Sequence, residues 1–250
     1  MIEIRNLTKS FGDNLVWEDV SFRIEDGETT AIIGRSGCGK SVLLKHINAL
    51  MTPDSGEVLI DGKNIFELDY VGQRKLRQRF GVLFQGSALF DSINTFENIA
   101  FPLRYFTDLS EQDIHDKVMA ALRHVNLESA AEKGTSELSG GMRKRVGLAR
   151  AIILEPQYIM YDEPTSGLDP QTADEINELI IVMAEQFDIT SIVITHDMHS
   201  VLEVADKVAF LDQQKLSWYG TIDQMRQSNQ KNLIDFISAS EYQIKSKSSI

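Results

Sequence analysis

Thr30-Ala31-Ile32-Ile33-Gly34-Arg35-Ser36-Gly37-Cys38-Gly39-Lys40-Ser41 is an apolar run that breaks into a glycine-rich loop and ends on a lysine and a hydroxyl. From Gly34 to Ser41 it satisfies the pattern G-x-x-x-x-G-K-[ST]. The glycines let backbone N–H groups turn inward without Cβ clashes, so Gly34, Arg35, Ser36, Gly37, Cys38 and Gly39 can close around a phosphate. Lys40 can reach β- and γ-phosphates, and Ser41 offers its hydroxyl to Mg²⁺. The stretch from Val42 to Leu50 is helical in character, so its positive N-terminal end faces the anion. Cys38 reads as a small loop filler, although helix N–H dipoles beside it would lower its thiol pKa. Strand, loop and helix in this order predict a P-loop NTPase core of the α/β class.

The same kind of apolar run recurs. Phe80-Gly81-Val82-Leu83-Phe84 stops at Gln85, Tyr158-Ile159-Met160-Tyr161 at Asp162, and Ile192-Val193-Ile194-Thr195 at His196. Runs apolar on both faces suit a parallel sheet covered on both sides. Ligands bind beyond the carboxyl ends of such strands. Gly34, Gln85, Asp162 and His196 are therefore expected on one edge. There Asp162 would hold Mg²⁺ through its water shell, and Glu163 would polarise an attacking water. His196 would hydrogen-bond the γ-phosphate or that water. Gln85 would sense Mg²⁺ and γ-phosphate and pass their state to neighbouring segments.

The remaining chain falls around this core. Ile2 to Leu7 alternates apolar and polar residues, Val16 to Ile24 less regularly, and Asp26-Gly27 and Asp61-Gly62 are turn signals. This predicts an N-terminal antiparallel β subdomain. Ser110 to Leu127 has helical spacing, with Ser110 and Asp113 as a start signal, and Met142 to Leu154 is a second helical stretch. They predict an α-helical subdomain inserted into the core. After Phe236 the chain turns polar and is expected to fray.

Composition narrows the function classes. The chain has 250 residues, 42% hydrophobic and 25% charged, the balance of a globular domain rather than a disordered one. Its net charge of −12 repels phosphate backbones and argues against nucleic acid as a partner. One cysteine excludes an internal disulfide framework. No signal peptide and no apolar run of spanning length is read, so a role in transport would need a separate membrane partner.

Leu138-Ser139-Gly140-Gly141-Met142 then resembles the L-S-G-G-Q signature of ABC ATPases, with Met142 in place of glutamine. Ser166-Gly167-Leu168-Asp169 resembles the family's D-loop. Phe11 stands where an aromatic ring usually stacks on adenine. The order Phe11, phosphate loop, Gln85, signature, Asp162-Glu163, Asp169, His196 is the family order. The resemblance implies a RecA-like ABC ATPase domain over 1–236, with the α/β core in 1–85 and 156–236, the helical subdomain in 86–155 and a polar tail in 237–250. It implies ATP and Mg²⁺ as ligands. Ser139, Gly140 and Gly141 would meet the γ-phosphate held by a second copy, so a head-to-tail dimer is expected.

The resemblance also implies peripheral attachment to the cytoplasmic face of the inner membrane. The region from Gln85 to Leu103 would receive the permease's coupling helix, and a small accessory subunit is allowed for. "Gln-Gly-Ser-Ala-Leu-Phe-Asp-Ser" and "Leu-Ser-Gly-Gly-Met-Arg-Lys-Arg-Val" are similar to the Mla/Mce lipid-transport ATPases. Importers of amino acids or metals, and a soluble nucleotide-dependent switch, are the alternatives. Arg143, Lys144, Arg145 and Arg150 are read as a solvated helix face.

Overall fold

A computed structural model describes the backbone of residues 1–247 and the side chains of residues 1–240. The chain forms two compact units, Met1–Arg77 together with the chain from Thr190 onward, and Gln78–Ile189.

The first unit begins with β1 (Ile2–Phe11), β2 (Asn14–Ile24), β3 (Thr29–Gly34), α1 (Lys40–Ile47), β4 (Ser55–Ile60), β5 (Lys63–Asn64) and α2 (Tyr70–Arg77). The second unit then contributes β6 (Phe80–Leu83), α3 (Thr95–Phe106), α4 (Glu111–His124), α5 (Gly140–Ile152), β7 (Tyr158–Asp162) and α6 (Pro170–Phe187). The chain returns to the first unit with β8 (Thr190–Ile194), α7 (Met198–Val204), β9 (Lys207–Asp212), β10 (Lys215–Thr221), α8 (Ile222–Arg226) and α9 (Lys231–Lys247).

In the first unit β2, β1, β4 and β5 make the expected antiparallel sheet. Ile2 and Ile4 of β1 face Ile24 and Phe22 on one side and Ile60 and Val58 on the other. Ile2, Ile4 and Leu7 are buried, and this fixes the register, because a one-residue slip would turn them outward. Asp61 at φ 52° and Gly62 at φ 75° form the tight β4–β5 turn.

A second sheet in this unit runs β10-β9-β3-β8. β3 is parallel to β8, with Ile32 opposite Ile194, and parallel to β9 on its other side. Every residue of β3 is buried, as its unbroken apolar run requires. Ala31 and Ile33 share a core with Val208, Phe210, Met198, Val201, Leu233 and Phe236. Those last two residues tie down α9, which carries the chain in helix to Lys247 where a fraying tail from 237 was expected. Residues 248–250 lie outside the described residues.

In the second unit β6 and β7 are parallel, Leu83 opposite Tyr161. Helix α5 lies directly on β6: a Cβ at Gly81 would come within 2.2 Å of the Ala151 carbonyl. This packing joins both strands to the helical segments, and the unit runs from 78 to 189. Helix α4 starts as expected, with Ser110 Oγ accepting the Asp113 N–H at 3.2 Å.

Candidate functional site

In the first unit β3 delivers the glycine loop to the N-terminus of α1. A Cβ at Gly34 would lie 2.4 Å from the Leu211 carbonyl, and one at Gly39 would lie 2.4 Å from Val16 Cγ1. Only glycine fits at either position, so the loop is set by close packing at both ends. Lys40 is buried, and its Nζ donates to Gly34 O at 2.8 Å and Arg35 O at 3.1 Å. Its ammonium is thereby curled over the loop. Arg35, Ser36, Gly37 and Ser41 are exposed. Burial pushes the Cys38 thiol up, against a smaller opposite pull from Lys40. This corrects the expectation of a lowered thiol pKa, because desolvation outweighs the Lys40 charge and the backbone N–H groups beside the sulfur. The pH–rate profile of Cys38 alkylation by iodoacetamide should therefore rise at higher pH than that of a free cysteine. A profile matching free cysteine would contradict this environment.

His196 lies just past β8 and is exposed. Because β3 and β8 are parallel, Gly34 and His196 leave that sheet at the same end. The turn beyond His196 is pinned: Thr195 Oγ1 accepts the Asp197 N–H at 3.0 Å, and Asp197 caps α7 through the His199 N–H. Phe11 closes β1, is 49% exposed, and has Lys9 Nζ 5.4 Å from its ring centre. Its ring is thus available for stacking.

In the second unit Gln85 and Asp162 likewise leave the parallel pair β6–β7 at one end. Glu163 follows at φ 50°, the left-handed region that non-glycine residues rarely occupy. Asp162 and Glu163 are half-buried and Gln85 is exposed. The Gln85 amide is 3.5 Å from Ser166 Oγ, at the outer limit of a hydrogen bond.

Ser139 caps α5, its hydroxyl accepting the Met142 N–H at 3.2 Å. Gly140 and Gly141 thus form the first turn of a 13-residue helix, where unpaired N–H groups collect. Gly141 also serves packing, since a Cβ there would meet Thr172 Cγ2 at 2.5 Å. Asp169 caps α6. The Thr172 hydroxyl at 2.6 Å and N–H at 3.1 Å hold its carboxyl below the usual carboxylate range. This capping role was not read from the sequence.

Of the basic residues of α5 expected on a solvated face, Arg143 is exposed and Arg145 and Arg150 are half-buried, but Lys144 is buried. Arg143 donates to Leu138 O at 2.6 Å, and Arg145 pairs with Glu175. Lys144 is buried and bonds Gln85 O at 2.6 Å and Glu163 O at 3.0 Å. Burial lowers its pKa, while Glu163 and then Asp162 pull it back up. Arg150 donates to Ser87 O at 2.6 Å and Ala88 O at 2.8 Å. Ser87 and Ala88 both have positive φ. A basic run on an amphipathic helix cannot reveal such bonds, because their acceptors are backbone carbonyls of another segment.

The chain following Gln85 is held from inside by Asn98, wholly buried, which accepts the Phe90 N–H at 2.8 Å and donates to Phe90 O at 3.1 Å and Asn94 O at 3.0 Å. Outside it, Phe90, Phe101, Tyr105 and Phe106 form an exposed aromatic strip. Successive ring centres lie 5.0, 6.3 and 4.7 Å apart.

A parallel strand that runs through a glycine loop into a helix, with a lysine curled over the loop, defines a P-loop nucleotide-binding protein. The family model described as "ABC transporter" matches residues 17–166. The chain is 42% identical over 237 residues to the intermembrane phospholipid transport system ATP-binding protein MlaF of Haemophilus influenzae, covering 95% of this chain and 90% of that protein. It is equally 42% identical over 237 residues to the probable ribonucleotide transport ATP-binding protein mkl of Mycobacterium leprae, covering 95% of this chain and 68% of that protein. Among solved structures, the ATP-binding cassette MJ0796, a dimer in a post-hydrolysis state bound to ADP and Pi, superimposes with a TM-score of 0.81 at 30% identity. That match covers 89% of this chain and 99% of the other. The chain belongs to the ABC transporter family, as an ATP-binding and ATP-hydrolysing subunit.

Proposed function

We propose that this chain powers phospholipid movement by an ABC permease, to which it attaches on the cytoplasmic side of the membrane. The observation that carries the reading is the 42% identity to MlaF along 95% of the chain, with the family's motifs in place. Among the described residues no helix is long and apolar enough to cross a membrane, so the moving path belongs to a partner. The exposed strip of Phe90, Phe101, Tyr105 and Phe106 suits that partner, because large exposed aromatics favour protein contacts.

The residue roles follow from chemistry. The N–H groups from Gly34 to Gly39, with Lys40, bind the phosphates, and Phe11 stacks on adenine. Ser41, Asp162 and Gln85 offer a hydroxyl, a carboxylate and an amide oxygen, the hard oxygen donors that fit Mg²⁺. When bound, that ion would neutralise charge on the β- and γ-phosphate oxygens. Glu163 orients a water and draws off its proton as the new P–O bond forms and the bond to the β-phosphate oxygen breaks. His196 steadies the γ-phosphate or that water. Ser139, Gly140 and Gly141 of a second copy present the α5 N-terminus to the same γ-phosphate, and Asp169 lies in the loop that links the two sites.

Co-purification from native membranes in mild detergent tests the cargo. A permease should accompany the chain, and phospholipid should both co-purify and stimulate ATP hydrolysis. The name of the mycobacterial relative supports ribonucleotide as the second reading. Stimulation by ribonucleotides, with no response to phospholipid, would replace the lipid reading by it.

A further inference from the structure

We propose that Lys144 is a positioning residue for hydrolysis: its ammonium holds the backbone carbonyls of Gln85 and Glu163 together and fixes where the Glu163 carboxylate points. The inference rests on the reading that Glu163 activates the water.

Lys144 is 4% exposed, and its Nζ lies 2.6 Å from Gln85 O and 3.0 Å from Glu163 O. A buried lysine is costly, and an apolar side chain of similar length would fill the same space more cheaply. The cation is offset here by two carbonyls and by the nearby carboxylates of Glu163 and Asp162. What it holds would be strained without it. Glu163 sits at φ 50°, and such a backbone persists only when its surroundings over-determine it. The carbonyl of this very residue is one of the two that Lys144 grips.

The other carbonyl belongs to Gln85, whose following residues Ser87 and Ala88 also have positive φ. Arg150, on the same helix, grips both of their carbonyls. The fit between helix and loop is close: a Cβ at Gly147 would lie 2.7 Å from Leu83 Cδ1 and 3.4 Å from Ser87 Cβ. Helix α5 therefore carries, within one chain, the signature at its N-terminus and two cations that set the Gln85 and Glu163 loops. Displacing the Gln85 loop would be felt at Glu163 through a single ammonium.

The test uses the purified protein, alone or with its membrane partner, and compares wild type, Glu163→Gln, Lys144→Met and Lys144→Gln. Lys144→Met keeps the stem and removes the donors. Its kcat should fall roughly 100-fold, the scale of misplacing a reacting group by about an ångström. Its KM for MgATP should stay within threefold of wild type, since the phosphate loop is untouched. Lys144→Gln restores neutral donors, which are about half as strong as charged ones, so its kcat should fall only about tenfold.

Wild-type kcat in Lys144→Met would overturn the proposal. So would a Gln variant no better than the Met variant, or a joint fall of kcat and nucleotide affinity. If Lys144→Met does not fold, Lys144→Gln decides alone: wild-type kcat or a raised KM in it defeats the proposal. Failure of the underlying reading looks different. Glu163→Gln would then hydrolyse ATP at the wild-type rate, whatever Lys144 does.

Discussion

Glu163→Gln should bind ATP as the wild type does and hardly turn it over. The substitution keeps the size and shape of the side chain but removes its ability to take a proton. Acid–base help of this kind is worth about 10²–10⁴ in rate. Glu163 follows the strand-end Asp162, and its backbone is fixed at φ 50° with its carbonyl on Lys144, so the amide side chain inherits the same place. Phosphate release per chain, measured at saturating MgATP, should drop by at least about 100-fold. Undiminished release would remove Glu163 from the reaction.

Lys40→Met should do the opposite and remove binding itself. Lys40 brings an ammonium over the loop, with its stem buried and Nζ on Gly34 O and Arg35 O. A charge-assisted bond of this type contributes up to about 3 kcal/mol, so nucleotide affinity should fall by roughly 100-fold. Titration with a fluorescent ATP analogue reads the loss. The fold should survive, because methionine preserves the buried stem while β3 and α1 keep their packing. An affinity within threefold of wild type would show that the loop binds phosphate without this lysine.

The two variants differ in the step they stop, and that difference reflects how the fold was legible. The phosphate loop could be read because its chemistry is local: glycines, lysine and hydroxyl follow one another in eight positions. The strand ends could be read because a strand covered on both faces must be apolar throughout, and the first polar residue marks its exit. β9 and β10 escaped, since Gln213 and Gln214 form their turn with positive φ and without the glycine or asparagine that signals it. The roles of Lys144, Arg150 and Asn98 escaped for another reason. Their partners are main-chain carbonyls and an N–H brought near by packing, and main-chain groups leave no trace in a sequence. Gly141 shows a mixed case: the signature gave its place, but its closeness to Thr172 is a matter of how α5 meets α6.

The physical core of the proposal is that one triphosphate is enclosed by the phosphate loop of one copy and the α5 N-terminus of another. Light scattering on Glu163→Gln tests it most directly, with and without ATP. With ATP the particle should double from the 28.2 kDa of one chain and hold two nucleotides, and adding Ser139→Arg should return it to single chains that each still bind one. Single chains saturated with ATP in the Glu163→Gln protein itself would contradict the shared site.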